Sequence, residues 1–200
     1  MLKKIGMLVL FSTLISGCAS SSGGLASHYN ERFNYGWDAL QRQDYKTAYE
    51  SFLEIAAWDS RAQVKLGAMH QKGLGVPQDY KEAVRWFRHS TEHKNAYGQY
   101  NLGWMYANGQ GVPQDYKEAV RWYRLSADQG FGDAQYNLGW MYYHGSGVPK
   151  DYVLTHTWMN LAASNGNEDA IKKRNIVEKK MSPSQIEKAQ EMARNWKPKK

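Results

Sequence analysis

Few residues of this 200-residue chain stand at a spacing that chemistry could use. His89, Glu92 and His93 form an H-x-x-E-H run, which on a helix sets two imidazoles one turn apart beside a carboxylate, an arrangement able to bind zinc and supply a base. No third ligand accompanies them, and His28, His70, His144 and His156 share no ligand spacing. Gly73-x-Gly75, Gly109-x-Gly111 and Gly145-x-Gly147 could cradle a phosphate, but a phosphate loop carries a third glycine or a Lys-Ser/Thr pair, and these carry neither. No serine occupies a nucleophile elbow, and the carboxylates fall on expected solvent faces or caps rather than as an inward pair. Cys18 is the single cysteine, which removes internal disulfides, Cys-based zinc sites and dithiol redox chemistry. Neither catalysis, a metal nor a cofactor is expected.

The elements that hold these residues are repeated. Gly75-Val-Pro-Gln-Asp-Tyr80, Gly111-Val-Pro-Gln-Asp-Tyr116 and Gly147-Val-Pro-Lys-Asp-Tyr152 recur every 36 residues, and the Gln-Tyr-Asn-Leu-Gly-Trp-Met-Tyr run ending at Tyr106 returns ending at Tyr142. Three units follow, 62–97, 98–133 and 134–169. A period of this size marks a stacked array whose single unit cannot bury its own apolar face. Each unit reads as two helices. The first places Leu102, Gly103 and Tyr106 on one face and stops at a glycine, with Pro113 preventing continuation. The second opens at Asp115 with Glu118 three residues on, a capping-box variant repeated at Asp79 and Glu82, and buries Ala119, Trp122, Tyr123 and Ser126. In this register His89, Glu92 and His93 stand where the next unit has Leu125, Asp128 and Gln129, so they decorate the tail of an ordinary repeat helix. The glycine pairs follow helices, which makes them helix stops.

The motif Ala134-x-x-x-Leu138-Gly139-x-x-Tyr142, then Gly145-x-Gly147-Val148-x-x-Asp151, resembles the Sel-one-like repeat (SLR), a relative of the tetratricopeptide repeat. The resemblance implies an all-α fold, an α-solenoid of stacked antiparallel helix pairs with the first helices lining a concave wall. Residues 29–61 look like a degenerate tetratricopeptide-like N-terminal pair, and 170–200 like basic C-terminal capping helices, with Ser182-Pro-Ser-Gln185 a capping box. Val153 and Leu154, which replace Lys117 and Glu118, are expected to meet those helices. Carrying the family's concave positions onto this chain selects Tyr100, Asn101, Trp104, Tyr136, Asn137, Trp140 and Tyr143, a ladder of large rings and amides suited to a protein or extended peptide. Two readings of Trp104 and Trp140 stay open, a binding surface or packing between repeats; Trp86, Trp122 and Trp158 read as packing. A glycan stacked on the same rings is the alternative ligand. Some disulfide-rich relatives are linked to β-lactam binding or hydrolysis, but this chain lacks their repeated Cys pairs.

At the N-terminus, Lys3 and Lys4 precede an apolar run from Ile5 to Ile15 that is too short to span a bilayer and reads as an export signal over 1–17. Ile15-Ser16-Gly17-Cys18 resembles a bacterial lipobox, implying cleavage before Cys18, acylation of its thiol and, with Ala19 next, sorting to the outer membrane facing the periplasm. Residues 18–28 are rich in Ser, Gly and Ala and read as a flexible tether, with folding from about Tyr29. Residues 171–200 carry ten Lys/Arg against three Asp/Glu, while 18–170 carry fourteen against sixteen, so the basicity is a C-terminal property. No nucleic-acid module accompanies it, and nucleic-acid binding is not expected.

Overall fold

A computed structural model describes residues 21–199, and the export signal, Cys18 and its acylation lie outside the described residues. Ten helices and no strand make up the described residues: α1 (Ser21–Gln41), α2 (Tyr45–Ile55), α3 (Ser60–Lys72), α4 (Tyr80–Glu92), α5 (Ala96–Asn108), α6 (Tyr116–Asp128), α7 (Gly132–His144), α8 (Tyr152–Ser164), α9 (Glu168–Glu178) and α10 (Pro183–Asn195). Consecutive helices from α1 to α9 pack on one another, which is the connectivity of an α-solenoid. No described helix is long and apolar enough to cross a membrane.

Local sequence sets the helix ends. The carboxylates of Asp79, Asp115 and Asp151 accept from backbone N–H groups in the first turns of α4, α6 and α8. The reciprocal arm expected of Glu82 and Glu118 is absent: each carboxylate instead lies against a guanidinium one turn on, Arg85 at 3.5 Å and Arg121 at 3.2 Å. At Ser182 the full capping box with Gln185 is formed. Gly73, Gly109 and Gly145 close α3, α5 and α7 in the left-handed conformation. Gly111 and Gly147 do more. Both have φ near +70°, and a Cβ on either would collide with the backbone carbonyl of Tyr80 or Tyr116, the residue that opens the second helix of the preceding repeat. The Gly-Val-Pro loop of one repeat is thus seated on the Asp-Tyr helix start of the one before, and only glycine fits.

Phe52, Phe87, Leu102 and Leu138 are fully buried in the seams between helices, each contributing about 2 kcal/mol. The buried amides of Gln63 and Gln135 donate to the carbonyls of Ala56 and Ala127, tying first helices to the end of the preceding second helix.

Two departures from the sequence reading have physical causes. Helix α1 begins at Ser21, eight residues before the expected start near Tyr29, so the segment read as a tether is helical through most of its length. Extending a formed helix adds a hydrogen bond per residue. Its described side chains through His28 are exposed, and Gly24 has nothing within 4 Å of where a Cβ would stand. Second, α9 is more than a cap. Ala170 and Val177, both buried, lie 36 residues after Ala134 and Met141, so α9 takes the place of a fourth first helix. Helix α10 does not complete that pair. It folds back on α8, where Leu154 shares an apolar cluster with Ala193 and Trp196. The chain then returns to α6: Trp196 and Pro198 lie over Gly130, the Lys199 amide donates to the Asp128 carbonyl at 2.7 Å, and the Lys199 ammonium pairs with the Asp128 carboxylate at 2.7 Å.

Candidate functional site

First helices α5 and α7 bring the ladder residues onto one wall. Between them lies a cavity of about 400 Å³ whose lining includes Trp104, Asn137, Trp140, Tyr116, Tyr123 and His144. Trp104 and Trp140 are half-buried: Trp104 packs against the seams on both of its sides, Trp140 against Met159, Ala162 and Ala170, and each turns its remaining surface to the cavity. The two readings left open for these rings are therefore not exclusive.

The remaining ladder residues divide by what holds them. Tyr100 lies against Phe131 and Tyr123 with ring centroids 5.2 and 5.9 Å away. Burial pushes its hydroxyl above the usual tyrosine range, with the Asp133 charge adding to this and a hydrogen bond from Asn137 opposing it. Tyr123 is raised further, by burial first, and the same Asn137 amide serves its hydroxyl. Asn137 and Tyr123 both line the cavity. Asn101 is used differently, since its amide donates to the Tyr97 carbonyl of its own helix at 2.8 Å. Tyr136 is half-buried beside Trp140 in the α7/α8/α9 seam, raised by burial and the Asp169 charge.

Tyr143 stands at the far end, stacked on Trp140 at 5.8 Å and 22°, with its hydroxyl accepting from the Lys180 ammonium at 2.8 Å. That hydrogen bond, ahead of the charges of Lys180, Lys173 and Lys150, holds the phenol below its ordinary range. Beneath it a second cavity, about 120 Å³, is lined by Trp140, Tyr143, Lys173, Ile176 and Val177 among others.

Sequence reasoning missed Tyr123, His144 and the α9 lysines as wall residues. Tyr123 replaces Phe87 at the matching position, a single added hydroxyl; Lys173 stands 36 residues after Asn137, a register hidden because α9 lacks the repeat motif. His89 and His93 are exposed, His89 edge-on to Trp86, and no cluster of three His, Cys, Asp or Glu able to hold a metal occurs among the described residues. On the opposite wall Trp86 and Trp158 are buried, while Trp122 is half-buried under Arg121 at 4.7 Å.

The Sel1 repeat profile matches residues 60–93, 96–131 and 132–167. Among solved structures, a protective antigen of uropathogenic Escherichia coli with an SLR fold superposes with a TM-score of 0.76 at 30% identity over 86% of this chain and 38% of that one. A Sel1 repeat protein from Oxalobacter formigenes gives 0.69 at 30% identity over 72% of this chain and 59% of that one. The cysteine-rich protein B of Helicobacter pylori shares the fold, with a TM-score of 0.51 at 22% identity over 62% of this chain and 95% of that one. This chain thus spans well under two thirds of the length of the first two. No curated protein matches it.

Proposed function

The chain belongs to the Sel1 repeat family, whose repeats generally mediate protein–protein contacts, and from that premise we propose that it is a non-catalytic scaffold that binds a protein or an extended peptide along the wall formed by α5 and α7. The cavity between Trp104 and Trp140 carries this reading. At about 400 Å³ it has room for a large side chain, it is walled by rings that give contact area at small entropic cost, and Asn137 and Tyr123 add polar groups to its lining.

The glycan reading has less behind it. Sugar stacking needs an open ring face, and Trp140 has Lys173 over it at 4.4 Å and Tyr143 stacked beside it. The proposed setting is the periplasmic side of the outer membrane, reached through the lipobox-like run ending at Cys18; several acyl chains there would give a stable anchor.

Capture from detergent-solubilised envelopes tests the binding proposal, comparing the wild type with a Trp104→Ala, Trp140→Ala variant of matched helical content. A protein recovered only by the wild type is the expected result; identical recoveries would remove the wall from consideration. Radiolabelled palmitate incorporation lost in Cys18→Ser tests the anchor.

A further inference from the structure

We propose that the C-terminal end of the wall selects an acidic peptide segment, the partner placing an apolar side chain in the cavity between Trp104 and Trp140 and a carboxylate among Lys150, Lys173 and Lys180. This rests on the peptide-binding reading above and gives the ligand its chemistry.

Lys173 and Lys180 stand over two stacked rings, Trp140 and Tyr143, and the charge of Lys150 bears on the same phenol. Lys180 donates to the Tyr143 hydroxyl at 2.8 Å and stands 4.9 Å above the ring and 5.7 Å above that of Tyr152. Lys173 lies 4.4 Å over Trp140, and the charges of all three bear on the Tyr143 phenol. Among the described residues none of the three has a carboxylate within 4.0 Å, although carboxylates are close in sequence. Those are engaged elsewhere: Asp169 with Lys172 at 3.0 Å, and Glu178 with His156 at 2.8 Å and Arg174 at 3.8 Å. Aromatic faces and a neutral phenol position the Lys173 and Lys180 ammonium groups without cancelling their charge, leaving a cationic cluster over a half-buried floor where a carboxylate is attracted more strongly than at an open surface.

Continuity with the apolar cavity argues for a peptide as the carrier of that carboxylate. Trp140 lines both cavities, so they are adjacent pockets sharing one wall. Alternate side chains of an extended strand, about 7 Å apart, suit such a pair. The smaller cavity, about 120 Å³ with Lys173 at its rim and Ile176 and Val177 in its lining, has room for one short side chain. An anionic sugar would have to displace Lys173 and Tyr143 from Trp140 before its ring could stack.

The test uses the detergent-solubilised full chain and three fluorescein-labelled dodecapeptides of the repeat Leu-Ser-Xaa-Ser, with Xaa Glu, Gln or Lys so that Leu and Xaa are alternate side chains of an extended strand, read by anisotropy. The Leu/Glu peptide is expected to bind about tenfold more tightly than Leu/Gln at low salt, an advantage that shrinks as screening rises. A Lys150→Gln, Lys173→Gln, Lys180→Gln variant with unchanged circular dichroism should lose that advantage while still binding Leu/Gln. Equal affinity for Leu/Glu and Leu/Gln, lost in Trp104→Ala, Trp140→Ala, would overturn the acidic preference and leave the wall as a peptide site. Persistence of the advantage in the lysine variant, binding of neither peptide, or displacement of Leu/Glu by polygalacturonate at lower concentration would each overturn it as well; the wall itself is then judged by the capture experiment.

Discussion

Two joints of the same solenoid, occupying the same register, are built from different chemistry. Where α4 meets α5 and α6 meets α7, the facing positions hold buried Val84 and Val120, and a guanidinium reaches across to a phenol: Arg88 to Tyr106 at 2.7 Å, and Arg124 to Tyr142. Where α8 meets α9, 36 residues on, valine becomes fully buried His156, arginine becomes Asn160 and tyrosine becomes Glu178. The polar contacts re-form with new partners, His156 to Glu178 at 2.8 Å and Arg174 to Asn160 at 2.7 Å. Interior joints recur because the helices on either side are themselves repeats. At the last joint α9 keeps only the small Ala170 and the apolar Val177 of the motif, and a local network replaces the lost ring contacts.

The sharpest way to break the comparison is at the loops. Gly111→Ala puts a methyl into the Tyr80 carbonyl at a left-handed position and should cost roughly 3 kcal/mol, read as a lowered midpoint in urea. Gly166→Ala, at φ +86° but with nothing within 4 Å, carries conformational strain alone and should cost about 1 kcal/mol. Equal losses would mean that the loop-to-helix seating contributes little. Removing the acceptor of the last joint, Glu178→Ala, strips buried His156 of its partner while Arg174 keeps Asn160, and should cost about 2 kcal/mol. Converting that joint to the interior kind with His156→Val, Asn160→Arg and Glu178→Tyr should leave the thermal midpoint close to wild type or above it, since replacing a buried polar pair by a well-packed one is often neutral or stabilising. A steep loss would show that α9 is not the register equivalent of α7.

A small effect concerns the wall. Tyr123→Phe removes one hydrogen bond with Asn137 and should cost about 1 kcal/mol at neutral pH. Because burial raises the folded phenol above its unfolded value of about 10, its stabilising contribution is complete below that pH and lost as pH climbs past it. The variant should therefore show a shallower alkaline decline than wild type, measured by urea unfolding between pH 9 and 11.

How much could be read beforehand follows from where the repeat motif is intact. Asp79, Asp115, Asp151 and the stop glycines carry their conformation in their type, so the helix pairs from Ser60 to Ser164 were legible. A helix after Ala170 was legible, but its place as a fourth first helix was hidden because that signal is two residues in a 36-residue phase, Ala170 and Val177, among polar neighbours. The wall was half legible. Which rings face outward follows from helical spacing, but whether an asparagine faces the cavity depends on what packs beside it: Asn101 turns back to Tyr97, and Asn137 lines the cavity with Tyr123 of the neighbouring helix. The Lys173–Lys180 cluster depends on α9 lying beside Tyr143, a contact that spans 37 positions in the chain.

The return of the C-terminus to α6 changes how this solenoid meets mechanical load. An array with a loose end peels one helix at a time, each contact breaking in turn under a small force. Here the last residues are clasped to Asp128 and lie over Gly130, two helices inside the end of the repeats. Tension applied at Lys199 therefore loads its contacts with Asp128 in the second repeat before it reaches the packing of α10 on α8.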